Sequence, residues 1–159
     1  MVSGPAPLLC KMRLQKDVGS LTASGLSQGM LVQLLRHWGH DGFLRHVDGV
    51  MEFYRQRAQS ATRCAERHLA GLAEWTAPSG GMFLWLRVLG VKDTEVIVHK
   101  ALQRHVIFVA GTHFTPANQK SACIRISFGT TSEEDCEKGL SVLADVIREE
   151  VSHQQQHTV

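Results

Sequence analysis

The chain has 159 residues, enough for about one domain with a real core. Its 43% hydrophobic and 20% charged residues are ordinary for a globular chain, and a net charge of +2 is too small to point to nucleic acid or an anionic membrane as a partner. No apolar run approaches bilayer-spanning length, and residues 1–11 lack the basic start and apolar stretch of a secretory signal, so neither a span nor export is expected.

The four cysteines, Cys10, Cys64, Cys123 and Cys136, are scattered without a CxxC pair. That spacing argues against a zinc site and a disulfide scaffold, and for buried or half-buried thiols in a reducing, intracellular compartment. Among the nine histidines, His37, His40 and His46 stand three and six apart, not in an HExxH pattern, and His153 and His157 lie in a glutamine-rich tail. They read as surface residues, and no metal ligand is expected.

In chain order, residues 7–39 read as helical with an interruption. Leu8, Leu9, Met12 and Leu14 are loosely periodic, residues 19–25 are rich in Gly and Ser, and Met30, Leu31, Leu34 and Leu35 resume the pattern. The clearest helix follows. Phe43, Val47, Val50, Tyr54, Ala58, Ala61, Ala65 and Leu69 recur at steps of three and four, one apolar stripe over about seven turns, with Gly71 as its stop. A helix this long is expected to link two structural regions.

The period then changes from helical to two. Met82, Leu84, Leu86 and Val88 alternate with Phe83, Trp85 and Arg87, a strand pattern. Asp93 is expected to cap a helix carrying Val98, Ala101 and Leu102. Residues 106–109 and 122–128 read as short strands. Thr131 and Glu134 have capping-box spacing ahead of a last helix carrying Cys136, Leu140, Leu143 and Ile147. The fold class expected is α+β: a small mixed sheet with helices on one face, preceded by a long linking helix. Residues 1–39 form one region, 40–151 the linking helix and the α+β domain, and 152–159 a disordered tail.

Three short runs can carry chemistry. Arg125 is a permanently charged fork in a strand whose other face is Ile124, Ile126 and Phe128. Two readings stand: a structural arginine paired with a nearby carboxylate, or an anchor for a ligand's carboxylate, for which the small neighbours Cys123 and Ser127 leave room. Gly80-Gly81 before the aromatic strand is either a plain turn or a place of close backbone approach to a ligand. Gly111 after a β run is similar. No GxSxG elbow, GxGxxG or phosphate loop is present.

Together these runs resemble the C-terminal portion of the fold type I, pyridoxal-phosphate-dependent aminotransferases, above all their kynurenine/α-aminoadipate branch. The resemblance is carried by residues 4–8, by 31–39, by Gly42-Phe43, His46-Val47-Asp48 and Phe53-Tyr54, and most specifically by the run from Leu72 to Trp85. It extends from about residue 4 to about residue 150. It implies amino-group transfer between an amino acid such as kynurenine or 2-aminoadipate and a 2-oxo acid. It also implies that Arg125 binds the substrate α-carboxylate, that Phe83 lines the pocket, and that Leu21, in a loop between helices, reaches toward a partner subunit's site. Gly111 would hold the turn beside the pocket, and the assembly implied is a homodimer or association with a longer protomer, in the cytoplasm or mitochondrion.

The chain departs from the family in what surrounds that anchor. Family members are well over twice this length. The Schiff-base lysine sits upstream in a Ser-x-Ser-Lys setting, and none of Lys11, Lys16, Lys92, Lys100, Lys120 or Lys138 has that context. The ring-nitrogen aspartate and the phosphate-binding residues are upstream too. Ala110 stands where the family often has proline. No catalytic or cofactor-binding residue is therefore expected in this chain, and the resemblance implies a truncated form that is inactive alone, or a non-catalytic module that associates with a full-length protomer.

Overall fold

The computed structural model describes residues 3–19 and 23–156. Over these the chain divides into two compact units, Met1–Gly49 and Val50–Val159.

In the first unit, α1 (Ala6–Gly19) ends where the Gly/Ser-rich stretch begins, and α2 (Gly25–Leu69) starts at its far side. Gly39 breaks α2 into two runs: its φ of 61° and ψ of −175° are outside helical space, and a residue without Cβ adopts them most readily. Across this break, the Trp38 and His46 rings meet at a tilt of 32°, centroids 4.7 Å apart. No described residue of α1, or of α2 before Tyr54, is fully buried. Leu26 and Met30 are 76% and 67% exposed, so the apolar periodicity here finds no cover among the described residues.

The second unit begins on α2, whose stripe becomes covered only toward its C-terminal end. Tyr54 and Ala58 are half-buried, and Ala61, Cys64, Ala65 and Leu69 are fully buried. Gly71, with φ 76°, turns the chain out of the helix. Strands β1 (Ala73–Trp75) and β2 (Phe83–Val88), helix α3 (Glu95–Gln103), strands β3 (Val109–Ala110) and β4 (Cys123–Ser127) and helix α4 (Glu133–Gln156) follow.

The α+β class is as expected, but the sheet is antiparallel throughout rather than mixed. Its order is β1-β2-β4-β3. β2 and β3 do run the same way, as a strand–helix–strand crossover requires, but β4 inserts between them antiparallel to both. Leu84, Leu86, Val88, Ile124 and Ile126 face a core completed by Leu69, Ile97, Ala101, Leu140, Leu143, Val146 and Ile147 from the helices. The opposite face carries Phe83, Trp85, Arg87, Cys123, Arg125 and Ser127, and no described helix of this unit covers it.

Several local expectations are corrected. Thr94, not Asp93, is the N-cap of α3, and its hydroxyl is spent elsewhere, donating toward the Ser121 and Cys123 carbonyls at 3.1 and 2.8 Å. Asp93 Oδ1 serves the helix from one residue further out, accepting from Glu95 N–H at 3.1 Å. Residues 106–108 are not strand, because Val106 N–H is tied back to Ala101 O at the helix end (3.0 Å) and pairing begins only at Val109. The cap of α4 is Ser132 with Asp135, one residue past the expected Thr131 and Glu134: Ser132 Oγ accepts from Asp135 N–H at 3.0 Å and donates to its carboxylate at 2.6 Å. Thr131 is diverted, its hydroxyl to Ser127 O and its carbonyl to Arg57. Helix α4 runs to Gln156, five residues into the expected tail, with Ser152 Oγ bonded to Arg148 O at 2.8 Å. Cys10 is exposed, not half-buried, because nothing packs on α1 among the described residues. Among the described residues no helix is long and apolar enough to cross a membrane.

Candidate functional site

The bare face of the sheet holds an arginine in an aromatic cradle. Side chains alternate along a strand, and β2 and β4 pair with Trp85 opposite Arg125 and Phe83 opposite Ser127, so all four point away from the core. Phe114 reaches the same place from the 3-10 turn Gly111–Phe114 that follows β3. The Arg125 guanidinium carbon lies 4.1 Å from the Phe83 ring centroid and 4.6 Å from that of Phe114. Phe114 in turn meets Trp85 edge to face, centroids 4.9 Å apart.

The cradle fixes the cation without neutralising it. Cation–π contact satisfies the faces of the guanidinium and leaves its in-plane N–H groups free to hydrogen-bond. Arg125 is in none of the ion pairs formed among the described residues, whereas Arg67, Arg87, Arg104 and Arg148 all are. The internal carboxylate pair that one reading of Arg125 expects is not formed among the described residues.

The glycines flanking the site serve different needs. Gly81 has φ 78° with open space around it, so backbone conformation is what demands glycine there. At Gly111 the demand is closeness: a Cβ would stand 2.4 Å from Ser121 Oγ, 2.8 Å from Cys123 O and 2.9 Å from Cys123 Cβ. That contact seats the turn bearing Phe114 against β4 beside Arg125.

Of the three residues expected to touch substrate, Phe83 and Arg125 are brought together. Leu21 lies outside the described residues. Trp85 and Phe114 were missed as partners of the arginine. The Phe83-x-Trp85 alternation was a legible signal for the first, but nothing local marks Phe114, which joins through the β3–β4 pairing.

The cofactor implied by the resemblance does not fit the residues present. No lysine stands on the strands that carry Arg125 or lines the hollow beside them, formed by Glu74–Trp75, residues 76–80, Phe83, Trp85, Arg87 and Cys123. Lys100 Nζ is engaged by Glu150 at 2.8 Å and Lys138 Nζ by Glu134 at 2.6 Å. The site offers an arginine fork and apolar walls, and among the described residues neither an amine to bond an aldehyde carbon nor a phosphate cradle stands beside it.

Comparison with known proteins gives this geometry a context. Residues 10–143 match the family model "Aminotransferase class I and II". The chain is 37% identical over 150 residues to the mouse protein named kynurenine/alpha-aminoadipate aminotransferase, mitochondrial, covering 93% of this chain and 35% of that one. It superposes on the crystal structure of an alpha-aminoadipate aminotransferase of Thermus thermophilus, complexed with N-(5'-phosphopyridoxyl)-L-leucine, with a TM-score of 0.78 and 25% identity over 94% of this chain and 37% of that one. A multiple substrate aminotransferase of Thermococcus profundus gives a TM-score of 0.78 and 27% identity over 93% and 36%. The chain thus spans about a third of the length of the relatives it matches.

Proposed function

The chain belongs to the class I and II aminotransferase family, which is pyridoxal-phosphate-dependent, and from that premise we propose that it is the carboxylate-gripping part of an aminotransferase site. The observation that carries this reading is the Arg125 guanidinium held between Phe83 and Phe114, in no ion pair among the described residues. Its fork receives the α-carboxylate of an amino acid or 2-oxo acid through two parallel hydrogen bonds. Phe83 and Trp85 wall the space for the side chain. The names of the relatives favour kynurenine or 2-aminoadipate as the amino donor. Residues 1–39 are a remnant of the large domain, with Leu21 in the segment that meets a partner subunit, and residues 40–151 are the linking helix and small domain.

In the whole family the cofactor supplies the electron sink that makes the α-proton removable. This chain has no lysine placed for that chemistry, so alone it binds weakly and turns nothing over. One exposed bidentate ion pair contributes about 1 kcal/mol or less. The test is incubation with pyridoxal phosphate, kynurenine or 2-aminoadipate and 2-oxoglutarate, followed by borohydride trapping and mass mapping. No turnover and no single trapped lysine are expected. Turnover that disappears in Arg125→Ala would overturn the inactivity.

A second reading has its own observation. Leu8, Leu26, Met30 and Leu31 expose apolar surface on α1 and on the first half of α2. A chain of this kind associates with a full-length aminotransferase protomer or with its own copy, in the cytoplasm or mitochondrion. Co-sedimentation with the full-length enzyme supports this; a well-dispersed monomer that ignores it sinks the idea.

A further inference from the structure

A second cluster lies away from the arginine, where the end of α2 meets the start of α4. Cys64 and His68 are four residues apart on α2 and so share a face. Glu137 faces them from α4. One ligand atom of each lies within 4.8 Å of the other two. His68 Nε2 is 2.5 Å from Glu137 Oε2. Cys136, the residue next to Glu137 on α4, is half-buried against the same core and close enough to Cys64 to perturb its thiol. We propose that Cys64, His68 and Glu137, with Cys136 as the fourth ligand, form a binding site for one zinc-class divalent cation that clamps α2 to α4.

The donor set and spacing suit that ion. Two thiolates, an imidazole and a carboxylate are borderline-soft ligands of the kind that select zinc over magnesium or calcium. Tetrahedral bonds of about 2.0–2.3 Å put neighbouring ligand atoms about 3.3–3.8 Å apart, so shifts of about 1 Å close Cys64, His68 and Glu137 around an ion, and Cys136, outside that 4.8 Å group, joins by a larger side-chain rotation. All four positions are filled by protein, which makes the site structural and leaves no vertex open for catalysis.

The second shell and the proton balance are in place. Arg67 pairs with the other oxygen of Glu137, orienting the carboxylate and offsetting the net charge of −1 that two thiolates, one carboxylate and a divalent cation would carry. In the metal-free chain the His68–Glu137 contact ties the two helices together. On binding, the two thiol protons go to solvent, and His68 is in the tautomer with its proton on Nδ1, so that Nε2 gives its lone pair. Because both sulfurs give up a proton to the solvent on binding, affinity rises with pH. Cys136 lines an open hollow with Arg57, Ser60 and Ser132, which gives the ion a way in.

The test is titration of cobalt(II), as the spectroscopic probe for zinc, into the reduced, chelator-treated full chain. One equivalent is expected to give a thiolate-to-cobalt charge-transfer band with tetrahedral visible bands, which zinc then bleaches, and zinc is expected to raise the thermal midpoint. Cys64→Ser should abolish the charge-transfer band or leave it much reduced. His68→Gln, on a half-exposed side chain and so safer for folding, should weaken binding by at least about 10-fold. Cys10→Ser should change nothing. Absence of a stoichiometric thiolate band, or a band that survives both Cys64→Ser and His68→Gln, overturns the site and leaves the cluster a hydrogen-bonded node.

Discussion

Arg125 lies over Phe83, one step diagonally across the β2–β4 pair, with the guanidinium carbon 4.1 Å from the ring centroid. The two residues hold each other on a sheet face that the rest of the unit leaves open. At a half-exposed site such a contact contributes about 0.5–1 kcal/mol. A double-mutant cycle of Phe83→Leu and Arg125→Met, read by urea unfolding, should return a coupling of about that size. A coupling of zero would mean that the aromatic cradle does not hold the cation in solution.

Gly111 should tolerate no side chain. In Gly111→Ala the new Cβ meets Ser121 Oγ, which can move, and the Cys123 carbonyl, which belongs to β4 and cannot. A loss of about 1–3 kcal/mol is expected, as for overpacking. Adding Ser121→Ala should recover only part of it. Full recovery would show that the backbone contact is slack.

The Lys100–Glu150 pair sets an acid dependence. Hydrogen bonding from Lys100 holds the Glu150 carboxyl below its ordinary value. A folded-state value below the unfolded one gives stability that is present above the unfolded carboxylate range and lost as pH falls through it. Glu150→Gln should therefore cost stability near neutral pH, by about 1 kcal/mol or less, with the difference closing below about pH 4. Thermal melts of both proteins from pH 7 to pH 3 check this, and a difference independent of pH would point to packing instead.

The thiols govern the alkaline side. Burial raises Cys64 and Cys136 above an ordinary thiol. A raised folded-state value means stability fully present below the unfolded thiol value of about 8.5 and lost as pH climbs past it. The metal-free chain should weaken from about pH 8.5 upward, less so in Cys64→Ala. Iodoacetamide at pH 8 should label exposed Cys10 long before Cys64. Equal labelling rates would contradict the burial.

The long helix and the alternation of β2 were plain in the sequence because each depends only on its own period. Leu84, Leu86 and Val88 had to face the core together whatever they packed against, and Phe83 had to face away. Each cap was misplaced by one residue: α3 was expected to start at Asp93 but starts at Thr94, whose hydroxyl goes to the Ser121 carbonyl, and α4 was expected to start at Thr131, whose hydroxyl goes to Ser127 O. No local rule foresees a partner 27 residues away.

The same division holds for function. The residues alone determined the chain's class, its long helix, and a permanently charged arginine beside small neighbours, since periodicity, charge and steric size are properties of the chain itself. Only the tertiary structure decided that β4 slides between β2 and β3, that Phe114 thereby reaches Arg125, and that His68 meets Glu137 across 69 residues of chain, with Cys64 beside them. Those meetings depend on which strand edges and helix faces bury most apolar surface together, a sum over the whole core that no short stretch of sequence contains.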